Sequence, residues 1–236
     1  MSTIDLTQPI GDIVTAHPGA AAVFERAGLD YCCKGRRSME SAATEAGLDP
    51  RVLMNEIIEA GSDRLADTSY AQLGLRELVD HVESTHHAYL HAEFPRLVSL
   101  TAKIAEVHGS RHPELQEVAR LTLAIRDDLE PHMAREELIL FPMIREMVGG
   151  TSDVAPSDAG SVEHPIARMM AEHEATGALL EQLRSVTGGY KVPADGCATY
   201  HAAFQGLEQL ERDTHVHIHK ENNVMFPAAL AKVSNS

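Results

Sequence analysis

Two stretches of the sequence decide its interpretation: HMAREELILFP, residues 132–142, and HIHKENNVMFP, residues 217–227. Both follow the pattern H-x3-E-x4-F-P. A histidine and a glutamate four positions apart lie on one face of an α-helix, one turn apart, so the imidazole and the carboxylate can reach the same metal ion. Two such helices facing each other would supply two carboxylates able to bridge two metal ions.

Each copy of the pattern is preceded by a single histidine at a similar interval. His87 lies 45 residues before His132, and His173 lies 44 residues before His217. The chain is therefore predicted to contain two helical hairpins, each supplying one single histidine and one histidine–glutamate pair. Natural and designed di-iron bundles use a related arrangement. The predicted metal ligands are His87, His132, Glu136, His173, His217 and Glu221.

The apolar periodicity places both pairs in a core. Residues at steps of three or four form a stripe on the second helix (Ile125, Leu129, His132, Glu136, Ile139, Met143) and on the fourth (Leu207, Leu210, Thr214, His217, Glu221, Val224, Ala228). A buried ionised carboxylate is costly unless it is paired or binds a metal. For one such pair, a buried histidine–glutamate hydrogen bond is the simpler interpretation. The matched repeat favours a metal.

The pattern leaves two candidates for the ligand on the first helix. His87 precedes Leu90 and Phe94 in phase, whereas His86 is in phase with Val79 and Val82, so His86 remains an alternative. His91, one turn after His87, could support the ligand rather than bind the metal.

Three further histidines are set aside. His108 is 21 residues from His87, about 31 Å along a continuous helix, so both cannot bind one cluster. His215 and His219 flank His217 by two positions and face away from it. They are expected to be solvent-exposed surface residues.

The remaining pattern indicates an all-α protein. Helical segments follow one another from about residue 72, and the glycines between them imply short connections and hence antiparallel neighbours. An up-down-up-down four-helix bundle is predicted for residues 72–236. A small helical domain, residues 1–60, precedes it, with Asp49 and Pro50 suited to start its last helix. The polar stretch between them, residues 61–71, is predicted to be a linker.

Charge and cysteine content exclude several classes of function. The formal net charge is −15, so we expect no binding to nucleic acid or to acidic membranes. No apolar run is long enough for a membrane span, and the first residues do not resemble a signal peptide.

Three cysteines, Cys32, Cys33 and Cys197, are too few for a disulfide scaffold and fit a reducing compartment. A cytoplasmic location is predicted.

The sequence DYCCKG, residues 30–35, together with the two H-x3-E-x4-F-P copies, resembles the repair-of-iron-centres family of the YtfE/ScdA type. The resemblance covers nearly the whole chain. It implies a hemerythrin-like domain with two non-haem irons, bridged by carboxylates and by an oxo group, and the family's ligands fall on the six residues chosen above. It further implies that damaged iron–sulfur proteins are the partners, in the response to nitric oxide or peroxide.

Several points stay open at this stage. Spacing alone does not choose between iron, manganese and a zinc pair. Cys32 and Cys33 are candidate redox or iron-transfer thiols, although they could also be inert, with the N-terminal module serving as a docking or homodimerisation element. The alternatives to repair by iron supply are a di-iron nitric oxide reductase, and a carrier or sensor of O2 or nitric oxide.

Overall fold

The computed structural model describes residues 4–60, 69–149 and 161–234, and its regular elements within these ranges are helices, apart from one isolated bridge between Pro9 and Ser38. The all-α prediction is confirmed. Most of the predicted linker, residues 61–71, lies outside the described residues.

Four short helices make up the N-terminal segment: α1 (Ile10–Ala16), α2 (Ala20–Arg26), α3 (Met39–Glu45) and α4 (Pro50–Ala60). The Ser38 hydroxyl caps α3 by accepting a hydrogen bond from the backbone N–H of Ser41 at 3.1 Å. The predicted start of α4 at Pro50 is confirmed, and the Asp49 carboxylate accepts a hydrogen bond from the Arg51 N–H at 2.8 Å.

The long helices follow, three of them interrupted by a π-helical turn. They are built from α5 (Leu75–Val82) and α6 (Ala88–His108), α7 (Glu114–Arg135) and α8 (Phe141–Met147), α9 (Glu163–Val186), and α10 (Ala198–Lys220) and α11 (Phe226–Ser234). The π turns are Glu83–His87, Glu136–Leu140 and Glu221–Met225. None of the helices in the described ranges combines the length and apolar character that a membrane span requires.

Contacts divide the chain into two compact units. The first comprises Met1–His81, Ile144–Thr151 and His215–Ser236. Its core is formed by the apolar faces of the four short helices, and Ile218 of α10 is buried among them. Apolar burial of this kind is the main favourable term in folding, so the short helices are stabilised chiefly by packing.

The second unit comprises Val82–Met143 and Ser152–Thr214. Its core contains apolar residues of α6, α7, α9 and the first part of α10, among them Phe94, Leu121, Leu180 and Phe204. These four helices form the predicted up-down-up-down bundle, because the apolar stripe of each one faces a shared interior.

The π turn in the second long helix shifts the register of its apolar stripe by one residue. The predicted stripe runs from Glu136 to Ile139, but Ile139 is 53% exposed and Leu140 is buried in its place. This part of the prediction was wrong, because a π turn closes over five residues rather than four and so inserts one extra position. Pro142 lies two residues after the turn, and a proline cannot donate the α-helical hydrogen bond to the residue four positions earlier.

The π turn in the last helix has the same effect. The predicted stripe continues through Val224 and Ala228, whereas the buried residues are Met225 and Ala229. Pro227 follows this turn at the same place as Pro142 follows the other. In both copies of the repeat, therefore, the Phe-Pro sequence comes directly after a π turn, and that turn begins at the glutamate of the H-x3-E pair.

Candidate metal centre

The six predicted ligands are among the least exposed polar residues of the chain. Their exposed fractions are 0–1% for His87, His132, Glu136, His173, His217 and Glu221. In each H-x3-E pair the histidine lies in the last turn of an α-helix, and the glutamate is the first residue of the π turn that follows. Polar groups rarely occupy such positions unless they are paired or bind a cation.

Two groups of four donor atoms meet the spacing that a metal ion needs. One contains His87, Glu136, His217 and Glu221, and the other contains His132, Glu136, His173 and Glu221. Within each group the donor atoms all lie within 4.8 Å of one another. Both glutamates belong to both groups, while each histidine belongs to one. This is the pattern expected of two ions that share two bridging carboxylates and take two imidazoles each.

The distances inside the groups fit ligands of a common ion. His132 Nε2 lies 3.0 Å from His173 Nε2, and His217 Nε2 lies 3.0 Å from Glu221 Oε1. Donors bound to one ion at about 2.1 Å are about 3 Å apart when they occupy adjacent positions. Four imidazoles and two carboxylates are the donors preferred by iron or manganese, in contrast to the cysteine-rich structural zinc sites. The residues present therefore fit a pair of such metals.

Two carboxylates orient the histidines through their other ring nitrogen. Glu137 Oε1 lies 2.8 Å from His87 Nδ1, and Glu172 Oε2 lies 2.8 Å from His132 Nδ1. A carboxylate at this position places the proton on Nδ1 and leaves Nε2 as the metal ligand. Sequence reasoning missed both residues. The available signal was their adjacency to ligands, since Glu137 follows Glu136 and Glu172 precedes His173.

Glu172 is itself held by two arginines. Arg135 and Arg168 approach its carboxylate at 2.7 Å and 2.9 Å. Burial raises the pKa of Glu172, but the hydrogen bonds from Arg135, Arg168 and His132 outweigh this and lower the pKa to about 2. Glu172 is therefore ionised at neutral pH and available to His132 as an acceptor.

The first π turn accounts for the two candidate histidines on the first helix. His86 and His87 are both buried, at 3% and 1% exposure, because the extra residue of the turn brings both phases of the stripe inward. His86 Nδ1 lies 3.0 Å from Asp213 Oδ1, and His86 belongs to neither donor group. The structure thus groups His87 with the other predicted ligands.

The histidines outside the two groups have different environments. His108 Nε2 lies 3.2 Å from Cys197 Sγ, which agrees with its exclusion as a ligand. His91 is about half exposed, with Nε2 3.6 Å from Glu137 Oε1. His219 was expected to face solvent, and this prediction was wrong: it is fully buried.

The burial of His219 comes from the N-terminal helices of the first unit. Its Nε2 lies 3.3 Å from Thr15 Oγ1 in α1, and its ring meets the edges of Tyr31 and Tyr70. Burial, and to a smaller extent the charge of Lys220, lowers the pKa of His219 to about 4. His219 is therefore neutral at pH 7 and packs as a core residue.

The predicted cysteine pair lies in the loop between α2 and α3. Cys32 is buried and Cys33 is partly exposed, with 3.7 Å between the two sulfur atoms. Asp30 Oδ1 accepts hydrogen bonds from the Cys32 thiol at 3.3 Å and from the Cys33 N–H at 2.8 Å. The hydrogen bond with Cys33 and then burial hold the pKa of Cys32 well above its usual range. Asp30, which sequence reasoning missed, completes a third group of donors within 4.8 Å.

The cysteine loop is attached to the π turn that begins at Glu221. Asn222 Nδ2 donates to the Cys32 carbonyl at 3.3 Å, and Asn223 Nδ2 donates to the same carbonyl at 3.1 Å. A second acceptor for Asn223 is the Tyr31 carbonyl at 3.3 Å. These bonds join residues one and two positions after a candidate ligand to the backbone of the cysteine pair.

Two family models match the chain. The model described as "Hemerythrin HHE cation binding domain" matches residues 78–229, which contain all six candidate ligands. The model described as "Domain of Unknown function (DUF542)" matches residues 6–61, which contain Cys32 and Cys33. The two matches leave residues 62–77 uncovered between them.

Curated proteins resemble the chain over nearly its whole length. The iron–sulfur cluster repair protein YtfE of Enterobacter sp. (strain 638) is 33% identical over 224 residues, which cover 95% of this chain and 97% of that protein. YtfE of Escherichia coli O157:H7 is 31% identical over 224 residues, with the same coverage. The iron–sulfur cluster repair protein ScdA of Staphylococcus haemolyticus (strain JCSC1435) is 32% identical over 217 residues, which cover 92% of this chain and 95% of that protein.

Proposed function

Because this chain belongs to the hemerythrin-like family that contains the iron–sulfur cluster repair proteins YtfE and ScdA, we propose that it repairs iron–sulfur clusters by supplying iron. In this proposal the iron is held as a pair by His87, His132, Glu136, His173, His217 and Glu221. The partners are iron–sulfur proteins damaged by nitric oxide or by oxidants. The names of the relatives favour repair over the alternatives of nitric oxide reduction and oxygen carriage.

The observation that carries the proposal is the sharing of Glu136 and Glu221 between both donor groups. Two carboxylates this close repel each other when ionised and shielded from water, so a cation between them relieves a large penalty. Bound iron would supply Lewis acidity and one-electron redox chemistry at these donors. We further propose that the two irons are bridged by both carboxylates and by an oxo group.

The number of protein ligands supports release rather than permanent storage. Each group offers two imidazoles and two shared carboxylates, which leaves room in a six-coordinate sphere for a small molecule such as nitric oxide or O2. A site with fewer protein donors holds its ion less tightly than a closed one and exchanges ligands more readily. Glu137 and Glu172 keep Nε2 of two histidines deprotonated and aimed at the ion, which maintains binding at neutral pH.

The cysteine loop is proposed as the element that takes part in transfer. Cys33 is partly exposed, and Asp30, Cys32 and Cys33 form a compact set of donors. Thiolates are softer ligands than imidazole or carboxylate. The cysteine loop would therefore bind iron with a different kind of donor from those of the buried histidine and glutamate centre. The hydrogen bonds from Asn222 and Asn223 hold the loop at a fixed position along the last helix.

The test is a repair assay with an iron–sulfur dehydratase whose cluster has been damaged by nitric oxide. Iron-loaded full-length protein should restore dehydratase activity without added iron, and chelator-treated protein should not. The double variant Cys32→Ser, Cys33→Ser should keep its iron and lose most of the repair, whereas Cys197→Ser, at the exposed third cysteine, should repair normally.

Three outcomes would overturn parts of the proposal. Equal repair by loaded and chelator-treated protein would exclude iron supply. Equal repair by the double-serine variant would reduce the cysteine loop to a docking or structural element. Sustained nitrous oxide formation with an electron donor, with no recovery of dehydratase activity, would replace repair by nitric oxide reduction.

A further inference from the structure

Cys197 lies outside both the donor groups and the cysteine loop, and its surroundings are unlike those of an ordinary surface thiol. It directly precedes Ala198, the first residue of the 23-residue helix α10, and it is exposed. Its Sγ lies 3.2 Å from Nε2 of His108, the last residue of α6. Both residues belong to the second unit. A thiol in contact with an imidazole is the arrangement that activates cysteine as a nucleophile.

His108 is held firmly in this contact. Its side chain is only 5% exposed, and its ring meets the edge of Tyr200 at a centroid distance of 5.6 Å. Its Nδ1 has no hydrogen-bond partner among the described residues, so a proton on Nδ1 would be a buried donor without an acceptor. The tautomer with the proton on Nε2 instead donates to the sulfur. That bond is strongest when the sulfur is a thiolate, because it is then charge-assisted.

The start of α10 stabilises the same negative charge. The backbone N–H groups at the beginning of a helix have no partner inside the helix and carry a partial positive charge. The hydrogen bond from His108, followed by contributions from the backbone of Tyr200 and Thr199, lowers the pKa of Cys197 to about 7. Cys32 shows the opposite effect, because its hydrogen bond with Cys33 and its burial raise its pKa.

The other charged groups near this end of the bundle are mutually paired. Asp195 Oδ1 lies 3.0 Å from His112 Nε2, and its other oxygen lies 3.1 Å from Arg111. His112 Nδ1 also lies 3.3 Å from Glu114 Oε1. The two carboxylates thus face cationic or hydrogen-bonding partners, which reduces their repulsion of a thiolate at position 197.

We propose that Cys197 is a site of covalent modification by low-molecular-weight disulfides. The thiolate attacks one sulfur of the disulfide, the sulfur–sulfur bond of the reagent breaks, and the other half leaves as a thiolate. Cys197 is oxidised to a mixed disulfide and the leaving half is reduced, so electrons balance without a further reagent. This chemistry is independent of the metal centre and extends beyond the repair function.

The experiment uses full-length protein and oxidised glutathione as the probe, with modification at each cysteine followed by peptide mass spectrometry. Cys197 should be modified first at pH 7, ahead of the partly exposed Cys33, and its rate should rise with pH and reach half of its plateau near pH 7. In His108→Gln the midpoint of the pH profile should move toward about pH 8.5, the value of an ordinary thiol. The rate at pH 7 should then fall about three- to fourfold, since the loss of thiolate is partly offset by greater nucleophilicity. His164→Gln, at an exposed position near the start of α9, is the control and should leave the profile unchanged.

Two results would overturn the proposal: a Cys197 rate no faster than that of Cys33 at pH 7, or an unchanged pH profile in His108→Gln. If His108→Gln does not fold, as judged by circular dichroism, the wild-type profile decides. A midpoint at or above about pH 8.5, the value of an unperturbed thiol, contradicts the proposal.

Discussion

Asn223 donates a hydrogen bond from its side-chain amide to the backbone carbonyl of Cys32, at 3.1 Å. Asn223 lies two residues after Glu221 and inside the same π turn. The bond therefore attaches the cysteine loop to the turn that carries a candidate metal ligand. The loop has little freedom to adjust here, because a Cβ at Gly35 would lie 2.4 Å from the Tyr31 carbonyl and 2.6 Å from the Asn223 side chain.

Asn223→Ala should therefore destabilise the protein by about 1 kcal/mol, or about 2–4 °C in melting temperature. The effect stays small because Asn222 still donates to the Cys32 carbonyl. Iron content should be unchanged, while repair should fall. The matched control is Asn55→Ala, at an exposed position of α4, which should change neither. If Asn223→Ala repairs as well as wild type, the attachment has no part in transfer.

Removing the carboxylate that orients His132 should weaken metal binding. Glu172→Ala should lower iron affinity about 10- to 100-fold, as is typical when the partner of a ligating histidine is lost. Competition with a chelator measures this directly. The control is Glu174→Ala, at an exposed position two residues further along α9. Equal affinity in the two variants would show that Glu172 does not support the ligand.

The π turn of the second long helix can be tested by deletion. Removing Leu138, which is 76% exposed, leaves the H-x3-E spacing intact and takes out the one extra position that the turn inserts. Ile144, which is fully buried, then lies seven positions after Glu136, in regular α-helical phase with it, and stays in the core. This variant should therefore fold and keep its iron. Removing Leu123, an exposed leucine in the regular part of α7, should instead rotate His132 and Glu136 relative to the core, with loss of iron and of about 3–6 kcal/mol of stability. Equal loss of iron in the two deletion variants would show that the turn does not accommodate an extra residue.

These turns also explain which parts of the site could be predicted from the sequence. The repeated H-x3-E pattern identifies four candidate ligands, because that spacing lies within one helical turn and does not depend on the register of later residues. The stripe beyond Glu136 was predicted one residue out of register, because hydrophobic periodicity assumes a regular helix. The ambiguity between His86 and His87 has the same origin, since each is in phase with a different side of the first π turn.

Contacts between distant parts of the chain explain the remaining misses. Nothing local to His219 reveals that Thr15, Tyr31 and Tyr70 cover it. Glu172 and Glu137 act through histidines on other helices, 40 and 50 positions away in sequence. The division of histidines between the two donor groups also could not be foreseen. The repeat suggests two equivalent hairpins, whereas His87 is grouped with His217 and His132 with His173.

Stability should depend on metal and on pH together. The empty site would hold Glu136 and Glu221 close together with little water, so chelator-treated protein should melt below iron-loaded protein at pH 7.5. Metal binding requires neutral imidazoles and ionised carboxylates, and protons therefore compete with iron as the pH falls. The difference between the two melting temperatures should shrink toward pH 5. Equal melting at pH 7.5 would contradict a metal site in the core.

The central claim is that two irons share Glu136 and Glu221, and iron content per chain tests it most directly. Elemental analysis of purified full-length protein should give about two irons per chain in wild type and in His108→Ala. His108 contacts Cys197 and belongs to neither donor group. Since both glutamates belong to both donor groups, the proposal predicts that Glu136→Ala and Glu221→Ala each lose both irons together. Two irons retained in either glutamate variant, or loss of iron in His108→Ala, would contradict the account.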